Sequence, residues 1–315
     1  MPSHRLNEQA EGVYIISATP FDDRGGIDFD SADRLVDFYL DSGVSGMTIL
    51  GMMGEAPKLS GEESLQFMRH VLKRVGGRIP VVVGVSNAGL DNLTALSNAS
   101  MEAGACGVMI APNAALNTED KLYNYYAQVC AALGPDIPIC YQDFPLTTAA
   151  HISAATFNRM VRDMAQLVML KHEDWPGLGK LSAVRADAEK TGTRRVSILV
   201  GNGGLYLPQE LARGADGAMT GFAYPEMLVN VVKRYKAGDV DGAEDLFDAY
   251  LPLVRHEQQP GFGLAVRKEV LRRRGVIKSA ATRAPGPKLD AAGQAELTRL
   301  MERLDQRLSE LGHGS

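Results

Sequence analysis

A lysine that ends an apolar run is the residue of this sequence best suited to covalent chemistry. Lys171 follows Leu167–Val168–Met169–Leu170, so an extended run would carry its amine to the edge of a desolvated interior. Desolvation disfavours an ammonium, and a neutral amine attacks a ketone to form a Schiff base. A lysine that marks the end of a strand and points at solvent fits the position equally well.

Four further clusters hold polar groups or turns of use to a small ligand. Gly51–Met52–Met53–Gly54–Glu55 is a turn whose glycines let backbone amides converge on a carboxylate, although two methionines filling a gap explain it as readily. Cys140–Tyr141–Gln142–Asp143–Phe144–Pro145 offers a tyrosine able to relay protons or to pack as a half-buried aromatic. Gly201–Asn202–Gly203–Gly204 lets the chain approach a ligand closely. Glu55, Asp143, Glu173 and Asp174 are carboxylates that could hold a divalent metal. His172 and Trp175 fit structural packing better than reaction, His70 and His151 look peripheral, and no Ser-His-Asp set follows from spacing.

The positions of these clusters along the chain connect them. Eight short apolar, β-branched runs, at 13–17, 46–50, 80–84, 107–111, 137–141, 168–171, 197–201 and 217–220, each precede a segment of helical periodicity. That alternation predicts βα units, and runs that are continuously apolar predict parallel strands covered on both faces. Eight units predict a (β/α)₈ barrel over 1–237, with the clusters above at the strand C-termini where such barrels keep their sites. A doubly wound sheet is the other candidate, but it calls for a Gly-rich turn after the first strand, and Ser17–Ala18–Thr19–Pro20–Phe21 is none. Helix starts are expected at Asp30 or Ser31, at Ser60 with Glu63 as a capping box, and at Thr118. Residues 238–315 read as a helical extension with helices at 240–253, 263–274 and 291–311, and Pro285–Gly286–Pro287 separates the last two.

Composition narrows the partners. A chain of 315 residues, 45% hydrophobic and 23% charged, is globular rather than disordered or fibrous. A net charge of −5 without basic clusters argues against nucleic acid. Cys106, Cys130 and Cys140 sit in apolar runs without Cys-x-x-Cys spacing, as buried reduced thiols of a cytoplasmic protein do. No export signal and no run of about eighteen apolar residues is evident, so membrane insertion is not expected.

Thr19–Pro20–Phe21, Gly51, Gly54 and Glu55, Tyr141 with Pro145, and Lys171, in this order and strand placement, resemble the dihydrodipicolinate synthase / N-acetylneuraminate lyase family of Schiff-base aldolases. The resemblance implies a barrel with a helical extension, usually a homotetramer or dimer, whose strand-6 lysine forms an imine with a 2-keto acid and needs no cofactor. It also implies Lys171, with Tyr141 or Gln142, as catalytic. Gly51, Met52, Met53, Gly54, Glu55, Asp143, Glu173, Gly201 and Asn202 would contact the substrate.

The chain departs from the synthase pattern at several points. Met52 and Met53 stand where the family carries two threonines, and Asn113–Ala114–Ala115 follows Pro112 where a tyrosine is expected. Thr147 replaces an arginine that grips the second substrate. The family's tyrosine lies three residues before the strand-5 proline, the place of Gln142 here, so either a bulge preserves the role of Tyr141 or Gln142 has replaced it. Gln142–Asp143–Phe144–Pro145, 217–221 and 251–257 resemble the branch containing 2-keto-3-deoxy-L-arabonate dehydratase. The resulting expectation is dehydration of a 2-keto-3-deoxy sugar acid. Pyruvate-releasing aldol cleavage, the synthase reaction, a metal-dependent enolase-type dehydratase and a non-catalytic keto-acid-binding barrel remain as alternatives.

Overall fold

A computed structural model describes residues 5–312. Eight parallel strands, β1 (Gly12–Ile16), β2 (Gly46–Ile49), β3 (Val81–Gly84), β4 (Gly107–Ile110), β5 (Ile139–Asp143), β6 (Leu167–His172), β7 (Ser197–Val200) and β8 (Gly217–Ala218), close in chain order, with β8 paired to β1. Around them lie α1 (Phe29–Asp41), α2 (Gly61–Val75), α3 (Leu90–Glu102), α4 (Glu119–Leu133), a short α5 (Pro145–Thr148), α6 (Ala154–Asp163), α7 (Gly177–Thr191), α8 (Leu207–Ala212) and α9 (Pro225–Lys236). Three more helices follow: α10 (Val240–Glu257), α11 (Gly263–Arg273) and α12 (Ala291–Glu310). The fold is the expected (β/α)₈ barrel, not a doubly wound sheet.

Helix starts follow local chemistry. Ser60 and Glu63 form the reciprocal capping box, with Glu63 N donating to Ser60 Oγ (3.1 Å) and Ser60 N to Glu63 Oε2 (2.8 Å). Thr118 accepts from Lys121 N. The first helix is capped by Asp28, which accepts from Ser31 N at 3.0 Å, rather than by Asp30 or Ser31. Asp30 instead lies in the first turn, where its charge complements the helix dipole.

The core has two layers. Val13, Ile15, Ile49, Val83, Ile110 and Leu170 pack outward against the helices. Tyr14, Ile16, Val82, Met109, Met169 and Met219 fill the barrel, and Leu6 joins them, donating its N–H to Cys106 O. The cysteines are buried and unpaired, and burial pushes the Cys106 and Cys140 thiols up to about 12, which leaves them unreactive. Among the described residues no helix is long and apolar enough to cross a membrane.

Candidate active site

Strand alternation alone would turn Lys171 away from the site. Successive strand residues face opposite sides, and Leu167 packs outward, so Met169 and Lys171 would follow it. The ladder intervenes: Ile139 pairs with Leu167, but Cys140 pairs with Met169, leaving Val168 as an extra residue. A one-residue irregularity flips every following side chain. Val168 and Met169 both join the inner cluster, Leu170 packs outward, and Lys171 turns inward opposite Gln142.

The same register separates the two strand-5 candidates. Gln142 lies inside, and its Nε2 donates to Glu173 Oε2 at 2.8 Å. Tyr141 faces the helices, its ring 4.8 Å from that of Tyr126 and 5.8 Å from Phe157, and its hydroxyl has no partner. The bulge lies in β6 rather than β5, so it does not bring Tyr141 inward. Tyr141 is therefore corrected to an outer-core residue, and Gln142 takes the place beside the lysine.

Glu173 completes the arrangement. Its Oε2 lies 2.9 Å from Lys171 Nζ, so one carboxylate oxygen meets both the amine and the Gln142 amide. The backbone N–H of Glu173 donates to Asp143 O (2.9 Å), and its carbonyl accepts from Asn202 Nδ2 (3.2 Å). Gly201 leaves the room, because a Cβ there would lie 2.2 Å from Glu173 Cγ. Gly201→Ala should therefore push the carboxylate off Lys171 and lower kcat by about 10–100-fold while the protein stays folded, since a misplacement of about 1 Å can cost that much. Steady-state kinetics beside a circular dichroism melt would check this, and an unchanged kcat would refute it.

Several expected substrate contacts lie elsewhere. Asp143 points away from the barrel interior, with Oδ2 2.6 Å from Lys180 Nζ and 3.6 Å from His172 Nδ1. Glu55, in left-handed backbone at φ 56, spends its carboxylate on Lys268 Nζ (2.6 Å), Lys58 Nζ (3.0 Å) and Arg283 N (2.9 Å). It thus fastens the β2 turn to α11 and the segment before α12. Both residues are corrected from substrate contacts to structural anchors. Asp174 pairs with Lys180 at 2.9 Å, so the four carboxylates weighed as metal ligands do not converge. Among the described residues no cluster of three or more His, Cys, Asp or Glu side chains could hold a metal ion.

The Gly51 turn keeps a use. Gly54 N donates to Gly51 O and Glu55 N to Met52 O, both at 3.0 Å, which leaves the first amides of the turn, those of Met52 and Met53, outside its ladder. Met53 packs on the barrel interior. Met52 and Gly51 line a cavity of about 770 Å³ together with Ser86, Asn87, Met109 and Gln142. Thr147 is exposed on α5.

Behind β6, Glu210 on α8 is buried and one of its oxygens has no partner. Burial pushes it up to about 7, opposed by the neighbouring His172. A carboxyl whose pKa is raised on folding holds a proton that the unfolded chain releases. Its stabilisation is complete below about 4.5 and is lost as pH rises through about 7. Between pH 5 and 8 the urea midpoint should fall, and Glu210→Gln should flatten that slope by about 2–3 kcal/mol. Parallel slopes for both proteins would contradict this.

Lys268, Arg283 and Lys180 were not legible as site supports. Lys268 stands 213 positions from Glu55, beyond the reach of any local spacing rule.

A closed parallel barrel that brings a buried amine, carboxylate and carboxamide together near its strand C-termini belongs with the class I lyases, which work through a Schiff base. The chain is a member of the dihydrodipicolinate synthetase family, whose sequence model matches residues 9–304. It is 32% identical to the L-2-keto-3-deoxyarabonate dehydratase of Azospirillum brasilense, over 99% of this chain and 98% of that one. It is 31% identical to the 4-hydroxy-tetrahydrodipicolinate synthase of Sorangium cellulosum, over 94% and 96%. The crystal structure of a dihydrodipicolinate synthase from Rhodopseudomonas palustris superposes with a TM-score of 0.93 at 47% identity, covering 96% of this chain and 100% of that one.

Proposed function

We propose that this lyase dehydrates a 2-keto-3-deoxy sugar acid through a Schiff base on Lys171. The observation that carries the reading is the Glu173 carboxylate, held 2.9 Å from Lys171 Nζ by Gln142, in a site whose turn offers Met52 and Met53 in place of hydroxyls. The exposed Thr147 supplies no cation for the second carboxylate of a synthase substrate, which speaks against that reaction. The Azospirillum relative carries the dehydratase name, which points the same way.

In this mechanism the Met52 and Met53 amides hold the substrate carboxylate. Glu173 takes a proton from Lys171, the free amine adds to the C2 ketone, and Glu173 gives the proton to the C2 oxygen, which leaves as water as the iminium forms and the carboxylate is restored. Glu173 then removes a C3 proton, and the electron pair moves to the imine nitrogen to give an enamine. The same carboxylic acid returns that proton to the C4 hydroxyl, which leaves as water while the enamine electrons form the C3–C4 double bond. For a pentonate, loss of a C5 proton and reprotonation at C3 give an enol between C4 and C5; its hydroxyl proton is lost as C4 gains one, which makes C5 an aldehyde, and water releases the product from Lys171. Gln142 contributes by fixing Glu173, not by proton transfer.

The reading includes a cytoplasmic homotetramer or dimer that needs no cofactor and engages neither membrane nor nucleic acid. The test is product analysis. A 2-keto-3-deoxypentonate should yield the semialdehyde of 2-ketoglutarate, seen by coupling to an aldehyde dehydrogenase. Stoichiometric pyruvate in a lactate dehydrogenase assay would instead establish aldol cleavage on the same imine.

A further inference from the structure

His172 separates Lys171 from Glu173 in sequence, yet its side chain leaves on the opposite face of β6 and is 1% exposed. Its Nε2 lies 2.9 Å from the carbonyl oxygen of Gly177, the first residue of α7. A carbonyl only accepts, so the ring carries a proton on Nε2 and donates it there. Nδ1 lies 3.6 Å from Asp143 Oδ2 and makes no directed hydrogen bond. The imidazole thus makes one directed bond, and that bond spans the turn between the end of β6 and the start of α7.

We propose that His172 is a positioning residue for Glu173: its imidazole ties the start of α7 to the end of β6 and thereby holds the intervening span 173–176, which carries the reacting carboxylate. The inference rests on the role proposed above for Glu173. That span has its own backbone bonds at Glu173, from its N–H to Asp143 O and from Asn202 Nδ2 to its carbonyl, but these fix only its first residue. Lys180 bridges Asp143 and Asp174, the second residue of the span, and at the far end the imidazole bond to Gly177 closes the turn on itself. Gly177 is fitted to the ring, since a Cβ there would lie 2.9 Å from Nε2.

Two substitutions at His172 and one at Gly177 separate this tether from a packing role. Glutamine carries an amide N–H to nearly the same place as Nε2, whereas leucine fills space without a donor. His172→Leu should lower kcat for a 2-keto-3-deoxypentonate by about 30-fold or more with KM within about threefold, while borohydride trapping of pyruvate on Lys171 stays complete, as expected for a displaced catalytic group. His172→Gln should stay within about threefold of wild type, and Gly177→Ala, which crowds the ring without changing the identity of any side chain in the cluster, should lose about tenfold in kcat with the same split. A leucine variant within threefold of wild type, or a glutamine variant as slow as the leucine one, overturns the inference alone. Should the leucine variant fail to fold, Gly177→Ala decides, and wild-type turnover there overturns it. A wild-type protein that traps pyruvate but dehydrates no sugar acid overturns the proposed function and this inference with it.

Discussion

Lys171→Arg should leave a folded barrel that pyruvate and borohydride no longer label and that has lost turnover by on the order of 10⁴-fold or more. Arginine is the informative replacement. It keeps a cation against Glu173, so it avoids stranding a buried carboxylate, a change that costs about 3–5 kcal/mol when one partner of a buried pair is removed. Its guanidinium stays protonated at any working pH, however, and cannot add to a ketone. Lys171→Ala should lose the same chemistry and in addition melt earlier. Wild-type turnover should survive full chelation by EDTA, because the imine nitrogen accepts the electrons that a metal would otherwise stabilise. Mass spectrometry of the trapped protein locates the adduct; labelling at a different lysine would refute the assignment.

Glu173→Gln should divide the reaction into two halves. The carboxamide has nearly the same shape, and its oxygen can still accept from Gln142 Nε2, so the local structure should persist. It can neither take the C3 proton nor deliver one to the C4 hydroxyl, and removal of a general acid–base group costs about 10²–10⁴-fold. Dehydration should fall by that factor, while pyruvate should still be trapped on Lys171 to completion, only more slowly. Loss of trapping together with dehydration would mean that Glu173 serves imine formation alone. Unchanged dehydration would remove it from the mechanism.

Much of the molecule was legible because its signals are local. Each strand read from a β-branched run lies within about two residues of the observed one, since a strand buried on both faces is a contiguous apolar segment. The capping box at Ser60 depends on side chains three residues apart, and the helices at 240–253, 263–274 and 291–311 follow from a 3.6-residue period that adjacent residues display. Lys171 was singled out on the same grounds, as a charged residue at the end of an apolar run.

What the chain could not reveal residue by residue was the direction in which those end residues point. Gln142, Tyr141 and Asp143 are successive, and alternation places the first inside and the other two outside; which set faces in follows from pairing with β4, where Ile110 stands opposite Tyr141, and which neighbour Gln142 meets depends on pairing with β6. That pairing skips Val168, a choice made by the fit of two strands twenty-eight positions apart, from Ile139 to Leu167, and carried by no local pattern. The skip alone turns Lys171 inward and brings it opposite Gln142. The fate of Glu55 was likewise hidden: a carboxylate in a turn favourable for ligand binding is claimed by Lys268 and the Arg283 amide, which reach it only because the helical extension folds back onto the barrel. Propensity and periodicity operate over a few residues, and so they specified strands, helices and the candidate lysine. Register and long-range ion pairing arise when distant segments meet, and they determined which neighbours that lysine has.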